Sequence, residues 1–193
     1  DGERVLDMGG AEGALASKMA DRGASVTVTD LFEPILRSGA RTDKRIVPVQ
    51  NRTILPFSNQ TFQHIILLET LEHIPDDSEM TALREAHRVL CSDGTFIMSV
   101  PADNLPLRPK HYRHYSSADL RSKLHDAGFL LQDMYSYKYL LSGGYQIPFF
   151  GTTLLTVYGS RPPWLNHANI KPLSFFACDE GEAEGFIVLA KKV

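Results

Sequence analysis

Thiols, long apolar runs and surplus positive charge are all scarce in this sequence, and each scarcity closes off a class of function. Cys91 and Cys178 are the only cysteines among 193 residues and stand far apart, so neither a disulfide framework nor a thiolate metal site is expected. Two such thiols suit a reducing cytoplasm. No apolar stretch approaches the roughly 18 residues that a bilayer span needs, and no signal-peptide pattern opens the chain. Lys and Arg number 20 against 23 Asp and Glu, a formal net charge of −3, which gives no electrostatic footprint for nucleic acid. What the sequence does have is 43% hydrophobic residues in a length that one domain with a substantial core can occupy. The expected partner is a small molecule, and the expected state is monomer or homodimer.

The most informative stretch is Val5-Leu6-Asp7-Met8-Gly9-Gly10-Ala11-Glu12-Gly13, an apolar run, one carboxylate and a glycine-rich turn. It reads as a buried strand that delivers its C-terminal end to a ligand, because glycines let a backbone turn tightly and approach a bound group closely. A helix is expected from about Ala11 to Asp21, its N-terminal N–H groups pointing at whatever lies over the turn. The first strand starts almost at Asp1, so residues are expected to precede it in a longer domain.

Ala24 to Thr29 is rich in β-branched residues and ends at Asp30, a second strand closed by a carboxylate. An acid at that tip is where a Rossmann-type fold holds two ribose hydroxyls. It is also a good N-cap for a helix starting near Phe32. Further strands are expected at Arg45–Val49, Phe62–Leu68, Thr95–Val100, Phe129–Tyr137 and Gly185–Lys191. Helical spacing of Met80, Leu83, Ala86, His87 and Leu90 marks a helix over Asp77–Leu90, with Ser92-Asp93-Gly94 as its stop. Leu120, Leu124 and Ala127 mark another, capped by Ser116 or Ser117 and ended by Gly128.

Strands alternating with helices imply an open, mostly parallel α/β sheet covered on both faces, with ligands at the carboxyl ends of the strands. Residues 138–184 break the rhythm with Gly143-Gly144, Pro148, Pro162-Pro163 and many aromatics, and read as an insertion packed over the sheet end, either a substrate lid or a dimer contact.

A dinucleotide fingerprint needs a second glycine where Ala11 stands, so that backbone can press against a pyrophosphate. A carboxylate at Asp7 would repel a pyrophosphate and attract an ammonium group. The nucleotide that joins an ammonium, an adenosine and a sulfonium is S-adenosylmethionine, which makes it the first choice over NAD(P) and its oxidoreductase chemistry.

These residues resemble one known family, the class I methyltransferases, and within it the broad small-molecule group called type 11. Asp7-Met8-Gly9-Gly10-Ala11-Glu12-Gly13 is similar to the family's Asp-x-Gly-x-Gly-x-Gly, with Ala11 for the middle glycine. Asp30 falls on the ribose-binding acid and Leu55-Pro56-Phe57 on the Leu-Pro-Phe after the third strand. Leu71-Glu72-His73-Ile74-Pro75-Asp76 resembles Leu-Glu-His-Val-Pro-Asp after the fourth. Leu83 to Leu90, Asp93-Gly94 and Ala127-Gly128-Phe129 match further signatures. Asn51 stands where the family usually has Asp beside the adenine, and can still accept a hydrogen bond.

The resemblance implies a Rossmann-like single domain with a seven-stranded sheet in the order 3-2-1-4-5-7-6, the last strand antiparallel. It implies S-adenosylmethionine as cofactor, held by Asp7, Gly9, Gly10, Ala11, Gly13, Asp30, Leu31, Asn51, Arg52 and Leu68. The expected reaction is methyl transfer to a small-molecule acceptor at oxygen; a catalytically silent cofactor-binding or partner-binding domain is the alternative.

Methyl transfer needs an aligned nucleophile and a destination for its proton. Glu69, Glu72 and His73 are spaced to share one face if their segment is a helical turn, and His111-Tyr112-Arg113-His114-Tyr115 follows the fifth strand. Three readings stay open. His73 is a general base near the substrate, with Glu69 beside it. Or Glu69, Glu72, His73 and His111 hold a divalent metal, an arrangement similar to that of plant small-RNA 2′-O-methyltransferases and, in part, ubiquinone-pathway O-methyltransferases. Or Glu72 and His73 only brace the turn. His64 and His87 read as structural, His125 and His167 lack a visible partner, and Arg113 and Tyr115 either line the pocket or form an ion pair or cap.

Overall fold

The computed structural model describes residues 2–30, 47–50, 54–139, 145–149, 152–157, 175–177 and 179–192. Its first strand, β1 (Arg4–Met8), is buried from Val5 to Met8, as expected of a central parallel strand covered on both faces. It pairs in parallel with β2 (Ser25–Asp30) on one side and β4 (Phe62–Leu68) on the other, Asp7 lying opposite Val28 and Ile66. The remaining strands are β3 (Val47–Gln50), β5 (Leu90–Pro101), β6 (Phe129–Tyr139), β7 (Tyr145–Phe149), β8 (Thr152–Val157), β9 (Phe175–Ala177) and β10 (Gly185–Lys192).

The main sheet has the order β3-β2-β1-β4-β5-β10-β6-β9. Its first seven positions reproduce the expected order with β10 as the seventh strand, antiparallel to both β5 and β6. Connections run outward from β1 through β2 to β3 and then return to β4, so the strand order reverses between β1 and β4. The carboxyl ends there open the crevice in which such sheets bind ligands.

Successive residues of β1 feed opposite layers. Leu6 joins Leu67, Leu83, Phe96, Leu120, Leu124 and Phe186 in the larger core, whereas Val5 packs with Ala16, Val26, Val28 and Ile66 in a smaller one. Three helices are described: α1 (Ala14–Ala20), α2 (Asp76–Val89) and α3 (Ser117–Asp126). The first turn of α2 carries Asp76, Asp77 and Glu79 and its last turn His87 and Arg88, charges that complement the helix dipole. Ser116 caps α3 by accepting from the Asp119 N–H at 3.1 Å, and Gly128 ends it at φ +94°.

Three expectations need correction. Helix α1 begins at Ala14 rather than Ala11, because Gly9, Ala11 and Gly13 all adopt positive φ and hold the turn open before it. Ser92-Asp93-Gly94 is not a stop before a separate strand. Strand β5 runs on directly from α2, and this tripeptide is a bulge within it, Asp93 at φ +59° and the pairing skipping from Leu90–Phe62 to Thr95–His64. Part of 138–184, expected to lack regular elements, is regular: β7 and β8 form a hairpin, and β9 extends the sheet beside β6. The expected helix near Phe32 lies outside the described residues.

Candidate active site

Backbone hydrogen bonds tie the glycine turn to the end of β2. The N–H groups of Gly9 and Gly10 donate to the Thr29 carbonyl at 2.7 and 3.3 Å, and Gly13 N–H closes the turn on Gly10 O at 2.8 Å. Two of these glycines are sterically required. A Cβ on Gly9, at φ +73°, would lie 2.4 Å from the Thr70 side chain, and one on Gly10 would lie 2.5 Å from Asp7 Oδ2. Ala11 adopts φ +47°, a conformation that strains any residue with a Cβ. Its N–H donates to Asp30 Oδ2 at 3.1 Å, so the acid at the tip of β2 closes over the turn.

Asp7 is only 4% exposed, and its Oδ2 has no hydrogen-bond partner among the described residues. Burial, reinforced by the charge of Asp30, pushes its carboxyl up to about 6. A buried, unpartnered carboxylate is costly until a cation meets it. The residues thus fit the ammonium and nucleoside of S-adenosylmethionine: a buried anion for the first, a glycine turn and Asp30 for the second.

Across the crevice, β4 ends at exposed Leu68, followed by Glu69 at φ +48°. That left-handed residue reverses the side chain away from the turn that follows, Leu71–His73, so Glu69 does not share a face with Glu72 and His73. Instead its Oε1 accepts from Ser99 Oγ at 2.7 Å and from the Tyr137 hydroxyl at 3.3 Å. Glu72 points inward, 1% exposed, with Oε2 unpartnered among the described residues. Burial, with the charge of Glu69 adding to it, pushes this carboxyl up to about 7.

Glu72, His73 and His111 each place one ligating atom within 4.8 Å of the others. The imidazoles of His73 and His111 meet edge to face at 4.6 Å between centroids. An open cavity of about 400 Å³ is lined by His73, Lys110, His111 and Tyr112. Burial and the neighbouring His73, His114 and Arg108 hold the His111 imidazole below its ordinary value, favouring the neutral ring that a metal or a proton can use.

The segment carrying His111 is fastened at several points. Tyr112 N–H donates to Glu72 O at 2.8 Å, and Tyr115 N–H to Pro101 O at 3.1 Å. Tyr115 is fully buried, its hydroxyl on Glu79 Oε1 at 2.8 Å, while Lys123 reaches Glu79 Oε2 at 2.9 Å and Arg113 pairs with Asp76. Arg113 and Tyr115 are therefore anchors of this segment. His64 pairs with Glu3 at 3.1 Å, His125 with Asp126 at 3.3 Å, and His87 packs edge to face on Phe129.

Leu31, Asn51, Arg52 and His167 lie outside the described residues. Tyr137 and Ser99 were not singled out for the site by sequence reasoning, and His114 was named only as a member of the His111–Tyr115 cluster. Of these only His114 carried a local signal, three positions from His111. Tyr137 and Ser99 reach Glu69 through strand pairing that no local pattern reveals.

A Rossmann-like sheet with an acid near the end of each of its first two strands, flanking a glycine turn, defines a nucleotide-binding site. Residues 6–98 match the family described as "Methyltransferase domain". The chain is 30% identical over 159 residues to a ubiquinone biosynthesis O-methyltransferase of Xanthomonas euvesicatoria, covering 69% of this chain and 65% of that protein. To a malonyl-[acyl-carrier protein] O-methyltransferase of Geobacter sulfurreducens it is 29% identical over 149 residues, 65% of this chain and 55% of the relative. It thus spans somewhat more than half of the length of these curated relatives.

Among solved structures, an S-adenosylmethionine-dependent methyltransferase of Methanosarcina mazei superposes with a TM-score of 0.69 at 15% identity, covering 100% of this chain and 93% of that one. The 1,6-didemethyltoxoflavin-N1-methyltransferase of Burkholderia thailandensis, solved with its substrate and S-adenosylhomocysteine, gives 0.66 at 20% identity over 100% and 72%. The fold is thus shared with S-adenosylmethionine-dependent methyltransferases, and residues 6–98 are similar in sequence to the methyltransferase domain. No helix of the described residues is long and apolar enough to cross a membrane.

Proposed function

We propose that this chain transfers a methyl group from S-adenosylmethionine to an oxygen of a small-molecule acceptor. The observation that carries the cofactor half is Asp7, a buried carboxylate whose Oδ2 has no partner among the described residues and against which Gly10 leaves room for nothing larger. S-adenosylmethionine, when bound, supplies an electrophilic methyl on a sulfonium. In this reading Asp7 holds the ammonium, Asp30 the ribose hydroxyls, and the backbone of Gly9 to Gly13 the adjoining atoms. The resemblance adds Leu31, Asn51, Arg52 and Leu68 to the cofactor-binding set, with Asn51 at the position for the adenine. Both curated relatives carry O-methyltransferase names, which supports oxygen as the acceptor atom.

The test is calorimetric titration with S-adenosylmethionine and, separately, NAD. Binding of the first, lost in Asp7→Ala and Asp30→Ala while circular dichroism stays unchanged, supports the assignment; equal binding by the variants overturns it. Release of S-adenosylhomocysteine on incubation with a set of phenolic and carboxylic acceptors then separates an enzyme from a silent binding domain.

On the acceptor side, Glu72, His73 and His111 form a site for a divalent cation, the reading supported by one ligating atom of each lying within 4.8 Å of the others. The cation would polarise an acceptor hydroxyl and ease loss of its proton. Without it, His73 is the base within this cluster. Glu69, bound to Ser99 and Tyr137, stands outside the trio in either case and faces the crevice as a hydrogen-bond acceptor for substrate. Loss of transfer after chelation, restored by added divalent ion, supports the metal reading, and undiminished transfer removes it.

A further inference from the structure

Two backbone carbonyls determine where the protons of this histidine cluster sit. His73 Nδ1 lies 2.9 Å from the Lys110 carbonyl and His114 Nδ1 lies 3.0 Å from the Leu105 carbonyl. A carbonyl oxygen only accepts, so each of these nitrogens carries its hydrogen. In neutral His114 the other nitrogen, Nε2, is then an acceptor. It lies 2.9 Å from His111 Nδ1, which must donate to it. The chain Leu105 O, His114, His111 therefore leaves His111 Nε2 as a bare lone pair, and Lys110 O does the same for His73 Nε2. Beside them stands Glu72, whose Oε1 lies 3.9 Å from His73 Nε2.

With Glu72 as its carboxylate, these three acceptors repel one another unless a cation or a proton is shared among them. From this chain of donors we infer that His114 is a positioning residue: through its Nε2 it fixes the tautomer and ring plane of His111 for ligation. The inference rests on the divalent-cation reading above. It extends that site outward by one residue, to a partner of the kind that orients metal-bound imidazoles elsewhere, whose loss typically weakens metal binding about 10–100-fold.

The test uses the full chain and cobalt(II) alone, followed by its visible absorption. Wild type is expected to bind, and His111→Ala to lose binding. His114→Phe, which removes the acceptor, should weaken binding about 10–100-fold. His114→Gln, whose amide oxygen can accept from Nδ1, should recover most of it. Binding by His114→Phe equal to wild type, with His111→Ala still defective, overturns the role of His114 and leaves the metal reading standing. Absence of binding by wild type overturns both.

A second measurement needs neither a variant nor a metal. Long-range proton–nitrogen NMR of the metal-free wild type should find His111 and His114 both protonated at Nδ1. Protonation of His111 at Nε2 instead would overturn the inference whatever becomes of the variants.

Discussion

The Tyr137 hydroxyl donates to Glu69 Oε1 at 3.3 Å, joining the carboxyl end of β6 to that of β4 across two intervening strands. Gly185 makes the contact feasible, since a Cβ there would lie 2.4 Å from the Tyr137 hydroxyl oxygen and ring. Tyr137→Phe should cost about 1 kcal/mol, the ordinary value of one such bond. In a chain of this size that lowers the melting temperature by about 2–4 °C. Glu69→Gln, which keeps an acceptor oxygen for both Ser99 and Tyr137, should lose less than Glu69→Ala. Equal melting temperatures for the two Glu69 variants would show that the bonds contribute nothing.

Ala11 stands at φ +47° in an exposed turn, so its methyl group adds strain and no core packing. Ala11→Gly is expected to stabilise the protein by up to about 1 kcal/mol, the relief of a left-handed residue reduced by the greater freedom of glycine in the unfolded chain. Cofactor affinity should hold or rise, because the N–H that reaches Asp30 is unchanged. Thermal melting with and without S-adenosylmethionine measures both, and a lower melting temperature for the variant would refute the strain.

Asp7 links cofactor binding to pH. Its folded-state value of about 6 lies above the ordinary 3.8, so the cofactor-free protein is most favoured with Asp7 protonated and loses that advantage as pH rises from 3.8 to about 6. An ammonium ligand needs the carboxylate. Affinity for S-adenosylmethionine should therefore level off above about 6 and fall about tenfold per pH unit below it, with a proton released on binding in that lower range. Calorimetry in buffers of different ionisation enthalpy counts the proton, and a flat profile in both wild type and Asp7→Asn would exclude Asp7 as the ammonium partner.

The sheet was legible because its inner strands are near-continuous apolar runs, and Val5–Met8 and Phe62–Leu68 reveal both place and burial. Ser92-Asp93-Gly94 misled because the residues that favour turns also favour bulges, and only the pairing with β4 distinguishes them. At the site, Asp7, Asp30 and the glycine turn are local in sequence and could be read. Glu69 was grouped with Glu72 and His73 on helical spacing. Its left-handed backbone undoes that grouping, and glutamate gives no hint of such a conformation. Tyr137 and Ser99 depend on which strands neighbour which, information carried by topology rather than by spacing.

Leu55-Pro56-Phe57 and the helix Leu83–Leu90, matched above as separate signatures, are two halves of one fastening. Arg88 grips Glu85 with Nε at 2.6 Å and Nη2 at 2.8 Å, and donates to the carbonyls of Leu55 at 3.0 Å and Phe57 at 2.7 Å. Glu85 in turn accepts from the Leu55 N–H at 2.8 Å, and the hydrogen bond from Arg88 holds its carboxyl below the ordinary range. Arg88→Ala would strand a buried carboxylate and two carbonyls, for which a loss of about 3–5 kcal/mol is expected. Arg88→Lys should recover little, since an ammonium cannot reproduce the fork. Because the Glu85 value is lowered, its contribution is present above 4.5 and is lost as pH falls through the depressed value, so the gap between wild type and Arg88→Ala should narrow in acid. Calorimetric melting at neutral and acidic pH checks both statements; a gap that widened in acid would mean that Arg88 stabilises the fold through its carbonyl contacts and not through Glu85.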